Sequence, residues 1–242
     1  MEARIMLFSA HISDTGSVKA LRRTTPGAEV PGLRSARTGV CAPFTDGALP
    51  KPQPGREALL ACWEDEESLD NFLVSHPTGQ AFADGWQVRM ELFRAVGMWP
   101  GIDDDMAQVC RGVATPKVGP MVAITIGTAY LRTVGSFLKV NKGLERQFLV
   151  APNAIWGTAI ANIPQRLVAT LSIWEDAAAA VSYMRSGAHG AAVKAHFDPN
   201  KDPTGHTFVT GGGFFGLRPI STRGSLHGRN PLSFEVPPLS ER

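Results

Sequence analysis

The sequence lacks an excess of charge of either sign. Its 24 lysines and arginines nearly balance 22 aspartates and glutamates, for a formal net charge of +2. No long basic run stands in it, so neither nucleic acid nor an anionic membrane surface is expected as a partner. Long apolar runs are missing too, and nothing approaches the roughly 20 residues of a membrane helix. The apolar start Ile5-Met6-Leu7-Phe8 turns polar at once. It is too short for the core of a signal peptide and reads as a first strand. Cysteine is scarce: Cys41, Cys62 and Cys110 are odd in number and lack metal-ligand spacing. That predicts reduced thiols in a cytoplasmic protein rather than a disulfide framework. Cys62 sits in an apolar stretch and reads as core, and nothing marks a cysteine as activated. A Ser-His-Asp order, a nucleophile elbow and a dinucleotide fingerprint are all absent.

The chain does contain a long internal repeat. Trp63-Glu64-Asp65 recurs as Trp174-Glu175-Asp176, 111 residues on. Both copies close a short apolar run, Ala58 to Cys62 and Leu167 to Ile173, and both open a helix-like stretch in which Phe72 and Tyr183 match at the same offset. The period far exceeds the roughly 20–50 residues of a solenoid repeat. A duplicated small domain is the better reading. The length of 242 residues allows one large domain or two small ones, and a hydrophobic fraction of 43% can supply a core.

Read in order, residues 3–10 predict a strand, 13–23 a helix and 33–38 a second strand. Residues 40–56, rich in proline and glycine, predict a loop. Residues 57–63 predict a buried strand. A helix starts at Asp65 or Ser68, with Leu69, Phe72 and Leu73 on one face, and 86–97 closes the unit as a strand. This is the split βαβ, ferredoxin-like pattern. The second copy predicts a strand over 121–128 and a helix over 130–140. Strands follow at 147–151 and 166–174, with 153–161 between them. A helix over 175–185, a further helical piece over 188–196 and a last strand over 207–218 complete it. The expected fold is α+β. Two ferredoxin-like βαββαβ halves, 1–97 and 120–218, are joined by a connector, 98–119, and followed by an extended tail, 219–242. A ferredoxin-like sheet leaves one apolar face bare. The two halves therefore pack sheet to sheet as a barrel within the chain, with space for a pocket between the sheets. They can also swap between chains, so a homo-oligomer stays open.

Three stretches carry a family resemblance: Phe148 to Trp156 (FLVAPNAIW), Leu171 to Asp176 (LSIWED) and Tyr183 to Lys194 (YMRSGAHGAAVK). They resemble the spheroidene monooxygenase family of carotenoid oxygenation. That family belongs with the dimeric α–β barrel proteins, which include antibiotic-biosynthesis monooxygenases, chlorite dismutases and aldoxime dehydratases. The likeness is strongest over 121–218 and weaker over 1–97. It implies haem b, with iron held by the residue matching the family's helix-borne histidine, here His189. His76, its nearest counterpart in the first half, precedes Pro77, which alters the local backbone, and the ligand role is not carried to it.

Residue by residue, the alternatives stay open. His189 lies among Gly187, Ala188, Gly190, Ala191 and Ala192. Small neighbours let a flat ring approach, and neutral imidazole ligates iron; the other reading is a histidine at a helix start broken by Gly187. His196, Asp198, Asp202 and His206 fit no zinc or calcium spacing and read as a surface loop. Gly211-Gly212-Gly213 in a strand signals either close approach to a ligand, with Phe214 and Phe215 lining the pocket, or a bulge. The five tryptophans read mainly as core, with Trp156 and Trp174 also candidate cofactor contacts. Arg185 is a candidate partner for a haem propionate, as are Lys194, Arg218 and Arg223. Asp65 and Asp176 read as helix caps rather than acids or bases.

The resemblance implies a haem-dependent monooxygenase. Its substrate is a hydrophobic small molecule or secondary metabolite, its oxidant dioxygen or peroxide, and its electrons come from an external reductase. A haem-dependent lyase or N-oxidising enzyme, a cofactor-free monooxygenase and a non-enzymatic ligand-binding barrel are the alternatives.

Overall fold

The computed structural model describes residues 6–14, 25–47, 50–129, 134–187, 190 and 209–232. The elements run β1 (Leu7–Asp14), β2 (Leu33–Pro43), β3 (Arg56–Trp63), α1 (Glu66–Ser75), α2 (Pro77–Phe82), β4 (Trp86–Gly97) and α3 (Met106–Val109). The second half follows with β5 (Met121–Ala129), α4 (Val134–Leu149), β6 (Ala154–Asn162), β7 (Leu167–Trp174), α5 (Ala177–Arg185) and β8 (Val209–Arg223). The strands close a barrel in the order β1-β3-β2-β6-β7-β5-β8-β4, and every pairing is antiparallel. Each half contributes a four-stranded ferredoxin-like sheet, β4-β1-β3-β2 and β8-β5-β7-β6. The seams are β2 with β6 and β4 with β8. The expected α+β barrel of two halves is thus the fold.

The repeat has a direct structural meaning. Trp63 and Trp174 end β3 and β7. Two residues later Asp65 and Asp176 take nearly the same extended backbone (φ −160° and −157°), and each carboxylate accepts a free amide of the first helical turn, from Ser68 at 2.8 Å and Ala179 at 2.7 Å. Each tryptophan then packs on the aromatic ring nine positions on: Trp63 on Phe72 at 5.0 Å and Trp174 on Tyr183 at 4.9 Å.

Each strand sends apolar side chains inward: Phe8, Cys41, Leu60, Trp86, Ile124, Ile160, Leu171 and Phe215 all belong to one buried cluster. Side chains enter the core from both barrel ends as well. The connector inserts Trp99, Ile102 and Met106 at one end, with Trp99 edge-on to Phe8 and Phe215 at 5.0 Å each. At the other end the residues after β8 insert Leu226 and Leu232, while Asn230 accepts from Trp86 Nε1 at 3.0 Å. The pocket expected between the sheets is therefore a packed core, because large side chains from all eight strands fill the volume the two faces enclose.

Other expectations are corrected. The tail does not begin at 219: β8 pairs with β4 as far as Arg223, and the chain then folds back to cap the barrel. The strand expected at 147–151 is the end of α4 and the turn after it. Leu149 and Val150 are exposed, so that apolar run faces solvent rather than a sheet. The strand is instead β6, where Trp156 and Ile160 face inward while Gly157, Ala159 and Ala161 face out. Ser13 and Asp14 lie in β1; the rest of the helix expected at 13–23 falls outside the described residues, as does the helical piece at 188–196 apart from Gly190. Among the described residues no helix is long and apolar enough to cross a membrane.

Candidate functional site

With the middle of the barrel filled, the outer sheet faces beneath the helices are open to chemistry besides the barrel mouths, and the two halves treat them differently. On the first half, β1 and β3 present Leu7, Ser9, His11, Leu59, Ala61 and Trp63 outward, and all are buried. Leu69, Phe72 and Phe82 of α1 and α2 cover them. Ser9 accepts from Trp63 Nε1 at 2.9 Å and lies 3.0 Å from His11 Nε2. Burial, aided by the positive charge of Arg89, pushes His11 down to about 3, so it stays neutral. Arg89, itself buried, is held by Asp70 and Glu66 and ties α1 to β4.

The matching face of the second half is built from smaller residues. Register places Met121, Ala123, Thr125 and Gly127 where the first half has Leu7, Ser9, His11 and Ser13, and opposite them Trp174, Ser172, Thr170 and Val168. Gly216 on β8 lies beside Ala123, where Arg89 lies beside Ser9. The outcome is a shallow trough. Thr125 is exposed in mid-sheet, at the position where His11 is 1% exposed, and Thr170, Ser172 and Phe214 are half-buried around it. One end of this face is closed by an aromatic cluster: Phe148 of α4 stands edge-on to Trp174 at 5.2 Å and to Tyr183 at 6.1 Å. Tyr183 Oη donates to the Leu144 carbonyl at 2.8 Å, and burial raises its pKa, so it remains a phenol.

The expected site residues fall as follows. Trp174 is on this outer face, 2% exposed, with its Nε1 donating to Ser172 Oγ at 3.0 Å. Phe214 and Phe215 separate: Phe214 packs at the outer face and Phe215 lies in the barrel interior, because neighbouring residues of a strand point to opposite sides. The aromatic pair therefore does not line one pocket. Arg185 ends α5 and is exposed. His189 lies outside the described residues, as do Lys194, His196, Asp198, Asp202 and His206. The chain on either side of His189 is defined. Gln147 Nε2 donates to the Tyr183 and Ser186 carbonyls, Gly187 takes φ +51° against Gln147, and Gly190 N donates to the Ser186 carbonyl at 2.9 Å. His76 caps α2, its Nδ1 accepting from Thr78 N at 3.1 Å while its ring stacks on Phe72.

Arg218 pairs with Glu91 across β4 and β8, and Arg223 is exposed. The glycine run makes a bulge: Gly212 takes φ +90° beside the register shift at Gly127, and a Cβ on it would lie 2.0 Å from the Ile126 carbonyl oxygen. Cys41 and Cys62 are buried thiols pushed up to about 12 by burial. Among the described residues no group of three or more histidines, cysteines or carboxylates is arranged to hold a metal. Thr125 and Thr170 went unnoticed in the sequence, since only strand register brings them together.

A barrel closed by two ferredoxin-like halves, with helices outside, defines the dimeric α–β barrel class, here completed within one chain. In sequence the chain is similar to spheroidene monooxygenase from Rubrivivax gelatinosus, with 27% identity over 214 residues that span 85% of this chain and 76% of that one. No family model matches. Among solved structures it is similar to an aldoxime dehydratase in complex with butyraldoxime, at 10% identity, 90% and 81% coverage and a TM-score of 0.49. A monooxygenase-like protein from Listeria innocua matches at 8% identity, 89% and 94% coverage and a TM-score of 0.33. Both scores lie under 0.5, and the fold assignment rests on the strand order of this chain.

Proposed function

We propose that the protein is an oxidoreductase, a haem b-dependent monooxygenase of a hydrophobic small molecule, and that the outer face of its second half is the site. The reaction class is supported by the similarity to spheroidene monooxygenase. The location is carried by one observation: Thr125 stands open in a floor of small residues where the first half buries His11. A flat apolar group suits the floor around Thr125, where Thr170 and Ser172 are half-buried and Phe214 offers a ring face, beside Ala123 and Gly216, which Phe93 already covers. His189, carried on the chain between Ser186 and Gly190, would supply the imidazole ligand. Arg185 would meet a propionate, and Trp174 would wall the α5 end. Bound haem iron supplies the oxidising chemistry. The chain's own part is to hold the group, keep its inner side dry against the sheet and orient the substrate above it. Electrons come from a separate reductase.

The test is an absorption spectrum of protein produced with adequate haem, beside His189→Ala and Thr125→Trp. An intense Soret band is expected, shifted or lost in His189→Ala. In Thr125→Trp it should be reduced while the thermal midpoint of the haem-free protein stays close to wild type, because Thr125 is exposed. If added haem gives no band in the wild type, the cofactor assignment fails and a cofactor-free oxygenase takes its place. Turnover under strict anaerobiosis with reductant would instead point to a lyase.

A further inference from the structure

The connector end of the barrel has a second opening, on the inner side of the strands and independent of the trough. Arg37 on β2 lies opposite Leu60, so its side chain points toward the barrel mouth, where Thr25, Pro26, Pro100, Thr128, Gln165 and Leu167 complete a cavity of about 390 Å³. That volume is within the range of small-molecule sites. The guanidinium is half-buried and makes one hydrogen bond among the described residues, to the Ala36 carbonyl at 2.6 Å. No carboxylate pairs with it among those residues, unlike Arg34, Arg56, Arg89 and Arg218. Burial alone lowers its pKa. The connector packs closely on one side of the guanidinium: Gly101 sits at φ +83°, where a Cβ would stand 2.9 Å from Arg37 Nη2, so only glycine leaves the arginine in its place at the cavity wall.

A half-desolvated guanidinium without an acid has donors left for a planar oxyanion, which it binds through two parallel N–H bonds. We infer that this cavity binds a small organic carboxylate, its oxygens on Arg37 and its apolar body against Pro26, Pro100 and Leu167. Thr128 and the Gln165 amide supply the remaining polar contacts; Gln165 Nε2 is already tied to Thr25 Oγ1 at 2.8 Å, which fixes that wall.

The experiment titrates benzoate, and separately inorganic phosphate, into the whole chain, followed by calorimetry and amide chemical shifts. Saturable benzoate binding is expected, with shifts at Thr128 and Gln165. Arg37→Met should weaken it at least tenfold, and Arg37→Lys, which keeps the charge and loses the planar fork, several-fold. Gln165 is exposed, so Gln165→Leu provides a folded control in which a several-fold loss is also expected. Absence of saturable benzoate binding, wild-type affinity in Arg37→Met, unchanged affinity in Gln165→Leu, or tighter binding of phosphate than of benzoate would each overturn the assignment.

Discussion

Acid should destabilise this fold through one histidine. His11 is fully buried on the outer face of the first half, and its pKa falls from an ordinary 6.5 to about 3, first through desolvation and then through the charge of Arg89. The folded chain therefore keeps it neutral well below pH 6, whereas the unfolded chain protonates it near 6.5. Above pH 6.5 both states are neutral and the full stability is present. As pH falls from 6.5 toward 3 the unfolded state takes up a proton that the folded state refuses, and stability is lost. At pH 5 about 1.5 pH units of that window have been crossed. At ~1.4 kcal/mol per unit the loss is about 2 kcal/mol. This figure stays the same for any folded value below about 4, because only the unfolded chain titrates above it. Urea unfolding of wild type and His11→Gln at pH 7.5 and pH 5.0 gives the measurement, since carboxylate effects common to both proteins cancel in the difference. Wild type should lose about 2 kcal/mol more than the variant. Parallel pH dependences, or an imidazole resonance of folded His11 titrating near pH 6, would refute the argument.

Two further perturbations test the repeat and the bulge. Asp65→Ala and Asp176→Ala each remove a cap bond to a helical amide, so each should cost about 1 kcal/mol in denaturant unfolding. Because the caps sit in separate halves, the double variant should show the sum; a departure beyond about 0.5 kcal/mol would mean the halves are coupled through these helices. Gly212→Ala places a Cβ against the Ile126 carbonyl at a positive φ and should cost more than about 2 kcal/mol in the same assay. A change near zero would show that the bulge can relax.

Local signals made much of this architecture legible. Trp-Glu-Asp marks the same junction twice, a strand end, a cap and a helix start, because each residue's role is fixed by immediate neighbours. β6 escaped because its outward residues, Gly157, Ala159 and Ala161, are small rather than polar, so the alternation is one of size and leaves no hydrophobic period. The end of α4 misled for the opposite reason: Phe148 is buried while Leu149 and Val150 are exposed, and the three together read as an apolar strand. The side chains entering from the barrel ends were invisible because Trp99, Leu226 and Leu232 act singly, from segments that carry no periodicity. The trough depends on which residue stands opposite which across paired strands. Thr125 beside Thr170 is a property of register and has no local trace.

The contrast between the two outer faces bears on function through stability. Both sheets need covering, and apolar burial contributes roughly 25 cal/mol per Å². The first half takes that contribution from its own side chains, with Leu59, Trp63, Leu69, Phe72 and Phe82 at 0–2% exposure. At the equivalent place the second half sets Thr170 where Leu59 stands and Thr125 where His11 stands, and so forgoes part of the same burial, while Phe93 covers Gly216, which stands where Arg89 does. A sequence selected for stability alone would fill that floor, since filling it requires only the larger residues already present in the other copy. A bound apolar group would bury the face instead, and its binding would then stabilise the native state by mass action. The half that is less complete by itself is therefore the half where a ligand has most to contribute, and it is also the half that carries His189.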